Sequence, residues 1–208
     1  MPFQMALDEI IFRQVEKENG VSSSSPLLRF YFSSEPWVTV GYSYREKLEG
    51  AVCRRITGGG RVNHGKDLIF SLVARKEQDK SFSSVRMSYL KIHEAVKLAF
   101  ESLGIQPRFF RCDEPLPPGK DCFRFPIATD LGIEEEKIAG GAQKRSAGTL
   151  LHQESVKIPK RVEARDFISS ICRGFETIFE IQIRPLHWKP ELFEEAEKLA
   201  RGKYCERT

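Results

Sequence analysis

Apolar positions near the N-terminus recur with helical spacing. Met5, Ile10, Ile11 and Val15 share one side of a 3.6-residue spiral, which predicts a helix over residues 5–18. Asp8 and Glu9 then fall in its first turn, where the helix dipole favours acids. After a serine-rich loop, residues 27–32 and 37–41 read as strands, separated by Ser33-Ser34-Glu35-Pro36. Residues 52–55 are a third strand, running into a glycine triplet. Residues 67–75 are a fourth, with alternation that gives it one buried face. Tyr89, Ile92, Val96, Ala99, Phe100 and Leu103 then mark a helix over 84–103, which Gly104 can end.

Residues 109–112 form a short strand. The prolines of 113–121 exclude regular pairing there. Residues 127–132 and 137–139 are extended, Gly140-Gly141 interrupts, and the strand resumes over 148–156. Two helices follow, at 164–179 and 190–201. Strands in neighbouring groups with helices between and after them define an α+β fold, a mixed sheet with flanking helices. We read residues 1–208 as one domain, its C-terminal helices starting at about 160.

Composition narrows the function. The chain has 208 residues, 40% hydrophobic and 30% charged, as in a soluble globular protein. No apolar run is long enough for a membrane span, and the acids near the N-terminus do not fit a signal peptide. Five cysteines with irregular spacing, none in a zinc pattern, point to reduced thiols in a cytoplasm. A net charge of +4 suits an acidic partner but is no nucleic-acid footprint.

Two segments concentrate the chemistry. In Arg54-Arg55-Ile56-Thr57-Gly58-Gly59-Gly60-Arg61-Val62-Asn63-His64 the triplet is followed by a strand. A phosphate loop or dinucleotide fingerprint would open a helix. What remains is either a backbone that can approach a ligand closely or a plain hairpin turn with solvated arginines. The second segment is Lys137-Ile138-Ala139-Gly140-Gly141-Ala142-Gln143-Lys144-Arg145, followed by Gly148-Thr149-Leu150-Leu151. Its lysine could polarise an acyl carbonyl, or be only a solvated residue after the acidic turn 134–136.

Both segments resemble signatures of the lipoate–protein ligase and octanoyltransferase superfamily: Arg-Arg-x-Ser/Thr-Gly-Gly-x-x-Val-x-His, and Lys-apolar-x-Gly-x-Ala-Gln/Tyr-x-Arg. MALDEI near the N-terminus and Pro36-Trp37-Val38-Thr39-Val40-Gly41-Tyr42 resemble the family as well. The resemblance implies a biotin/lipoyl protein ligase catalytic-domain fold with a largely antiparallel sheet. It implies substrate contacts from Arg55, Thr57, Gly58, Gly59, Gly60, His64, Gly140, Gly141, Ala142, Gln143 and Gly148, with Lys137 on the acyl carbonyl. Asp121-Cys122-Phe123 resembles the cysteine-dependent octanoyltransferase branch, in which a cysteine carries the acyl group as a thioester. Cys122 is therefore the expected nucleophile, its thiolate favoured by cationic neighbours. Cys53, beside Arg54, is a rival whose place in a strand argues for packing. Cys112 and Cys172 fit core positions, and Cys205 lies near the end of the chain.

The implied reaction moves an octanoyl or lipoyl group from octanoylated acyl carrier protein, or another acyl donor protein, through Cys122. The acceptor is a lysine of a lipoyl domain or of glycine cleavage H protein. No cofactor is expected. Arg61, Lys66, Lys144 and Arg145 are candidate docking charges. A second reading is an ATP-dependent lipoate–protein ligase, which would need ATP and magnesium. A third is a non-catalytic protein that binds acyl chains or lipoyl domains. One departure favours keeping it: Gln153 and Glu154 stand where the family has His and Gly, and His152 falls on the opposite face of a regular strand.

Overall fold

The computed structural model describes residues 1–17, 25–33, 35–110 and 126–204. Its first helix, α1 (Pro2–Glu16), begins earlier than the apolar spacing indicates, with Pro2 in the first turn, where a missing N–H is harmless. Asp8 and Glu9 consequently sit in the middle of the helix, not in its first turn, and both are buried. Strands β1 (Leu27–Tyr31), β2 (Trp37–Val40), β3 (Val52–Arg54), β4 (Arg61–His64) and β5 (Asp67–Arg75) follow. Ser84 caps α2 (Val85–Glu101), and Gly104, at φ +77°, turns the chain away from its end. Then come β6 (Arg108–Phe109), β7 (Leu131–Ile133), β8 (Glu136–Ser146), β9 (Thr149–Lys157), α3 (Ala164–Phe179) and α4 (Pro190–Leu199).

The strands form two sheets. The larger has the order β1-β5-β9-β8-β7-β6, with every neighbouring pair antiparallel. The smaller has the order β3-β2-β4; β2 runs parallel to β3 and antiparallel to β4. The expected α+β class and antiparallel bias hold, with the one parallel pair among the described strands in the small sheet. Strand β4 is not legible in the sequence, because Val62 is its only aliphatic residue.

Gly140-Gly141 does not interrupt β8, contrary to the expectation. Both residues pair directly with β9, opposite Ser155 and Glu154. Between β8 and β9, Ala147 and Gly148 make a two-residue turn with φ of 45° and 77°, the twist a tight hairpin needs. Strand β5 is buried on both faces, not one. Leu68, Phe70 and Leu72 pack with α2 and α3, while Ile69 and Val73 pack with α1 and α4. Among the described residues no helix is long and apolar enough to cross a membrane.

Helices α2 and α3 meet backbone to backbone. A Cβ built on Gly174 would lie 2.1 Å from the Ala95 carbonyl oxygen. Alanine at 174 gains at most about 1 kcal/mol of helix propensity. Forcing the helices apart costs about 1–3 kcal/mol. Gly174→Ala should therefore lower the urea unfolding midpoint; an unchanged or higher midpoint would contradict this contact.

Candidate active site

The glycine loop and the turn beside it are each held by one of the two arginines that precede the loop. Arg54 donates to the carbonyls of Gly41 and Tyr44 at 2.9 and 2.8 Å. Arg55 is buried and donates to the carbonyls of Gly58 (2.8 Å) and Gly60 (3.0 Å) and to Thr39 Oγ1 (3.1 Å). Arg55 thus braces the glycine loop from within, while exposed Arg54 ties down the neighbouring 41–44 turn. Gly41, at the end of β2, lies so close that a Cβ there would sit 2.1 Å from the Gly59 oxygen. Gly58 N–H donates to the Gln143 carbonyl at 3.3 Å, stitching the loop to β8. Beneath it, buried Thr57 donates to Gln153 Oε1 at 2.7 Å.

A cavity of about 670 Å³ opens between this loop, the small sheet and the large sheet. Of the expected site residues, Arg55, Gly58, Gly59, Gly60, His64, Lys137, Gly140, Gly141, Ala142 and Gln143 line it. Met5, Tyr31, Val62 and Ile69 add apolar wall. Thr57 holds the loop from behind, and Gly148 lies away from the cavity in the β8–β9 turn. Gly140 and Ala142 pair with Ser155 and Gln153 across the strands, and these small side chains leave space on that face. Part of that space is taken by protein, since a Cβ at Gly140 would meet Lys137; on the opposite face, one at Gly141 would meet His152 and Glu154. Cys122 lies outside the described residues, as do Cys112 and Cys205. Cys53 is buried in the core, and Cys172 is half-buried in α3.

His64 is anchored at both ring nitrogens. Nε2 lies 2.8 Å from Thr39 Oγ1, and Nδ1 lies 2.6 Å from Asp67 Oδ2. Ser155 Oγ donates to the same Asp67 oxygen at 2.6 Å. Burial pushes the Asp67 carboxyl up, but hydrogen bonds from His64, Ser155 and the Gly65 N–H outweigh it, and the net shift is downward. Gln153, flagged as a departure, ties the two halves of the site together. Its oxygen accepts from Thr57, and its nitrogen donates to Asp8 Oδ2 at 2.7 Å.

His152 lies on the face opposite Gln153, because β9 pairs one-to-one with β8 without a bulge. There it meets His93, which offers no sequence signal beyond helical spacing. The Nε2 atoms of His93 and His152 reach Glu154 Oε2 at 2.9 and 2.7 Å, all three residues buried. These three could hold a metal by proximity. The hydrogen bonds argue otherwise. The Gln143 amide nitrogen faces His152 Nδ1 at 3.1 Å, and Arg145 Nε, donating to the Gln143 oxygen at 3.0 Å, fixes that amide orientation. His152 Nδ1 must therefore accept, its proton resides on Nε2, and no lone pair is left there for a metal. His93 faces acceptors on both sides, the Thr129 carbonyl and Glu154, so it carries two protons. Burial lowers its affinity for the second proton, but the Glu154 charge and hydrogen bonds more than compensate, raising its pKa. The half-buried Arg145 donates its guanidinium hydrogens to Phe82, Ser88 and Gln143. Lys66 and Lys144 are exposed, and Arg61 is half-buried.

Residues 1–166 match the family model of the lipoyl protein ligase A/B catalytic domain. The chain belongs to that family. It is 31% identical over 173 residues to octanoyltransferase LipM of Oceanobacillus iheyensis, an alignment covering 76% of this chain and 60% of the relative. It is 27% identical over 259 residues to octanoyltransferase LipM of Bacillus subtilis, covering 98% and 91%. The chain thus spans about three fifths of the first of these relatives. A T. acidophilum protein solved with bound lipoic acid shares the fold, with a TM-score of 0.75, 23% identity, and coverage of 97% of this chain and 88% of that one.

The His93–Glu154 pair gives a pH signature. Burial pushes the Glu154 carboxyl up, but the two imidazoles bring it below its ordinary 4.5. A depressed carboxylate stabilises above its unfolded pKa and loses this as pH falls through the folded value. His93, raised above 6.5, stabilises below its unfolded pKa and loses this as pH rises through the folded value. Unfolding free energy should therefore fall on the acid side below 4.5 and on the alkaline side above 6.5. Glu154→Gln leaves His93 uncompensated and should cost about 3–5 kcal/mol at neutral pH, as for a broken buried pair. Urea titrations across pH check both; a His93→Gln variant with the wild-type pH profile would contradict the assignment.

Proposed function

We propose that this protein is an acyltransferase of protein lipoylation. It takes an octanoyl (or lipoyl) group from a carrier protein onto Cys122 and passes it to a lysine of a lipoyl domain. The observation that carries this reading is the single cavity onto which both family segments converge, with Lys137 and the glycine loop in its walls. Its size and largely apolar lining suit a fatty chain. The naming of the related LipM proteins as octanoyltransferases supports the same chemistry. Ile127, five positions after Cys122 in the sequence, lines the cavity.

In the first step the Cys122 thiolate attacks the donor's thioester carbonyl. The carbon–sulfur bond to the carrier breaks, and the carrier leaves as a thiol after taking up a proton. The new bond is again a thioester, so no ATP is consumed. Lys137 steadies the negative charge that develops on the carbonyl oxygen. In the second step the acceptor lysine attacks as a neutral amine and an amide forms. Cys122 leaves as thiolate, and the amine's proton is released to it or to water. The greater stability of the amide draws this step forward. Lys66 and Lys144 are exposed charges for acidic carrier and acceptor domains, glycine cleavage H protein included. A cytoplasm would keep Cys122 reduced.

The test is incubation with octanoyl–acyl carrier protein and an apo lipoyl domain without ATP, followed by intact-mass analysis. A hydroxylamine-sensitive octanoyl adduct on the enzyme and an octanoylated acceptor are expected. Cys122→Ala should lose the adduct and at least about 100-fold of the transfer rate, as expected for loss of a nucleophile. Acceptor modification only with free lipoate and ATP would identify a ligase instead. No modification under either condition would leave a binding protein.

A further inference from the structure

We infer that Asp130, which neither family segment contains, is the positioning residue for Lys137. The inference takes its catalytic meaning from the transferase reading, but the geometry stands by itself. Lys137 Nζ donates to Asp130 Oδ2 at 2.6 Å, with both side chains buried in the cavity wall. The same oxygen accepts the Ile127 N–H at 2.8 Å, so carboxylate, amine and loop backbone meet at one atom. Asp130 is itself fixed on both sides. Its N–H donates to the Ile127 carbonyl at 2.9 Å, and its carbonyl accepts from the Phe110 N–H at 3.1 Å. Immediately before it, the Thr129 carbonyl accepts from His93 of α2.

Gly140 completes the arrangement. A Cβ at this position would lie 2.1 Å from Lys137 Cε, 2.4 Å from Nζ and 3.3 Å from Asp130 Oδ1. The lysine arm therefore folds back over a strand position that only glycine leaves open, and Asp130 receives its amine at the far end. A lysine stem has four rotatable carbons and loses substantial entropy when held in one place. Holding it before substrate arrives is what lets a cation act on a developing oxyanion without rearranging. The carboxylate also supplies the opposite charge that a buried ammonium requires. Burial pushes the Asp130 carboxyl up although Lys137 pulls it down, so this pair is held against the preference of the acid for water.

Asp130→Asn keeps the shape and removes the charge. In octanoyl transfer it should lower kcat about 30-fold and leave KM within about threefold, since the interaction lost belongs to the transition state. In a Lys137→Met background the same change should alter the residual rate less than about threefold, because a residue acting through the lysine has nothing left to act on. A kcat within about threefold of wild type, or losses that multiply in the double variant, would overturn the assignment. A second readout does not use the reaction. Acetylation by an N-hydroxysuccinimide ester, followed by peptide mass spectrometry, should find Lys137 protected relative to exposed Lys66 and Lys144. Asp130→Asn should raise its labelling about tenfold at unchanged circular dichroism, as expected when about 1.4 kcal/mol of restraint is lost. Equal labelling in both proteins would overturn the positioning role even if wild type transferred nothing. Absent transfer with strong protection would sink only the transferase reading.

Discussion

The carboxylate of Asp8, buried in the middle of α1, is the point from which the site is assembled. It accepts hydrogen bonds from Arg29 and Tyr31 of β1, Ser71 of β5 and Gln153 of β9. A buried charge without such donors would cost several kcal/mol, so α1 can seat on the sheet only where these groups converge. Gln153 then extends the same order to Thr57 and the glycine loop. The glycine loop is thus tied to the large sheet through an acid two hydrogen bonds away.

This explains how residues divide their tasks. Arg55 spends its guanidinium on the carbonyls of Gly58 and Gly60, so its charge shapes the loop from within. Gly41 and Gly140 are glycines because other parts of the protein come within bonding distance of where a Cβ would be. Gln153, which breaks the family pattern, substitutes one bridging amide for a ring, and the bridge it makes is internal. The departure alters how the walls are tied and does not remove the cavity.

Much of this was readable in the chain. The long apolar periodicity of residues 84–103 gave α2, and the two family segments gave just under half of the residues in the cavity wall. Partner-dependent features escaped. Asp8 and Glu9 read as dipole-favouring acids, because nothing local reveals that Arg29, Tyr31 and Tyr204 will approach them. Gly140-Gly141 read as a break, because glycine lowers strand propensity and the packing that demands it comes from Lys137, His152 and Glu154. Four-residue β4 hid because it has one aliphatic side chain and gains its stability from pairing with β2. His93 and Asp130 carried no motif; their roles exist only once α2 and the 127–130 turn are brought together.

Strand β5 has a paired neighbour along each edge and packed helices over each face. Its peptide groups can meet solvent only when the whole large sheet separates. Deuterium uptake along Asp67–Arg75 would thus serve as a gauge of cooperative opening for the domain. The glycine loop, by contrast, is tied to this sheet through β8 and β9, by the Gly58 N–H and Thr57 Oγ1, and these bonds can break without parting β5 from its neighbours.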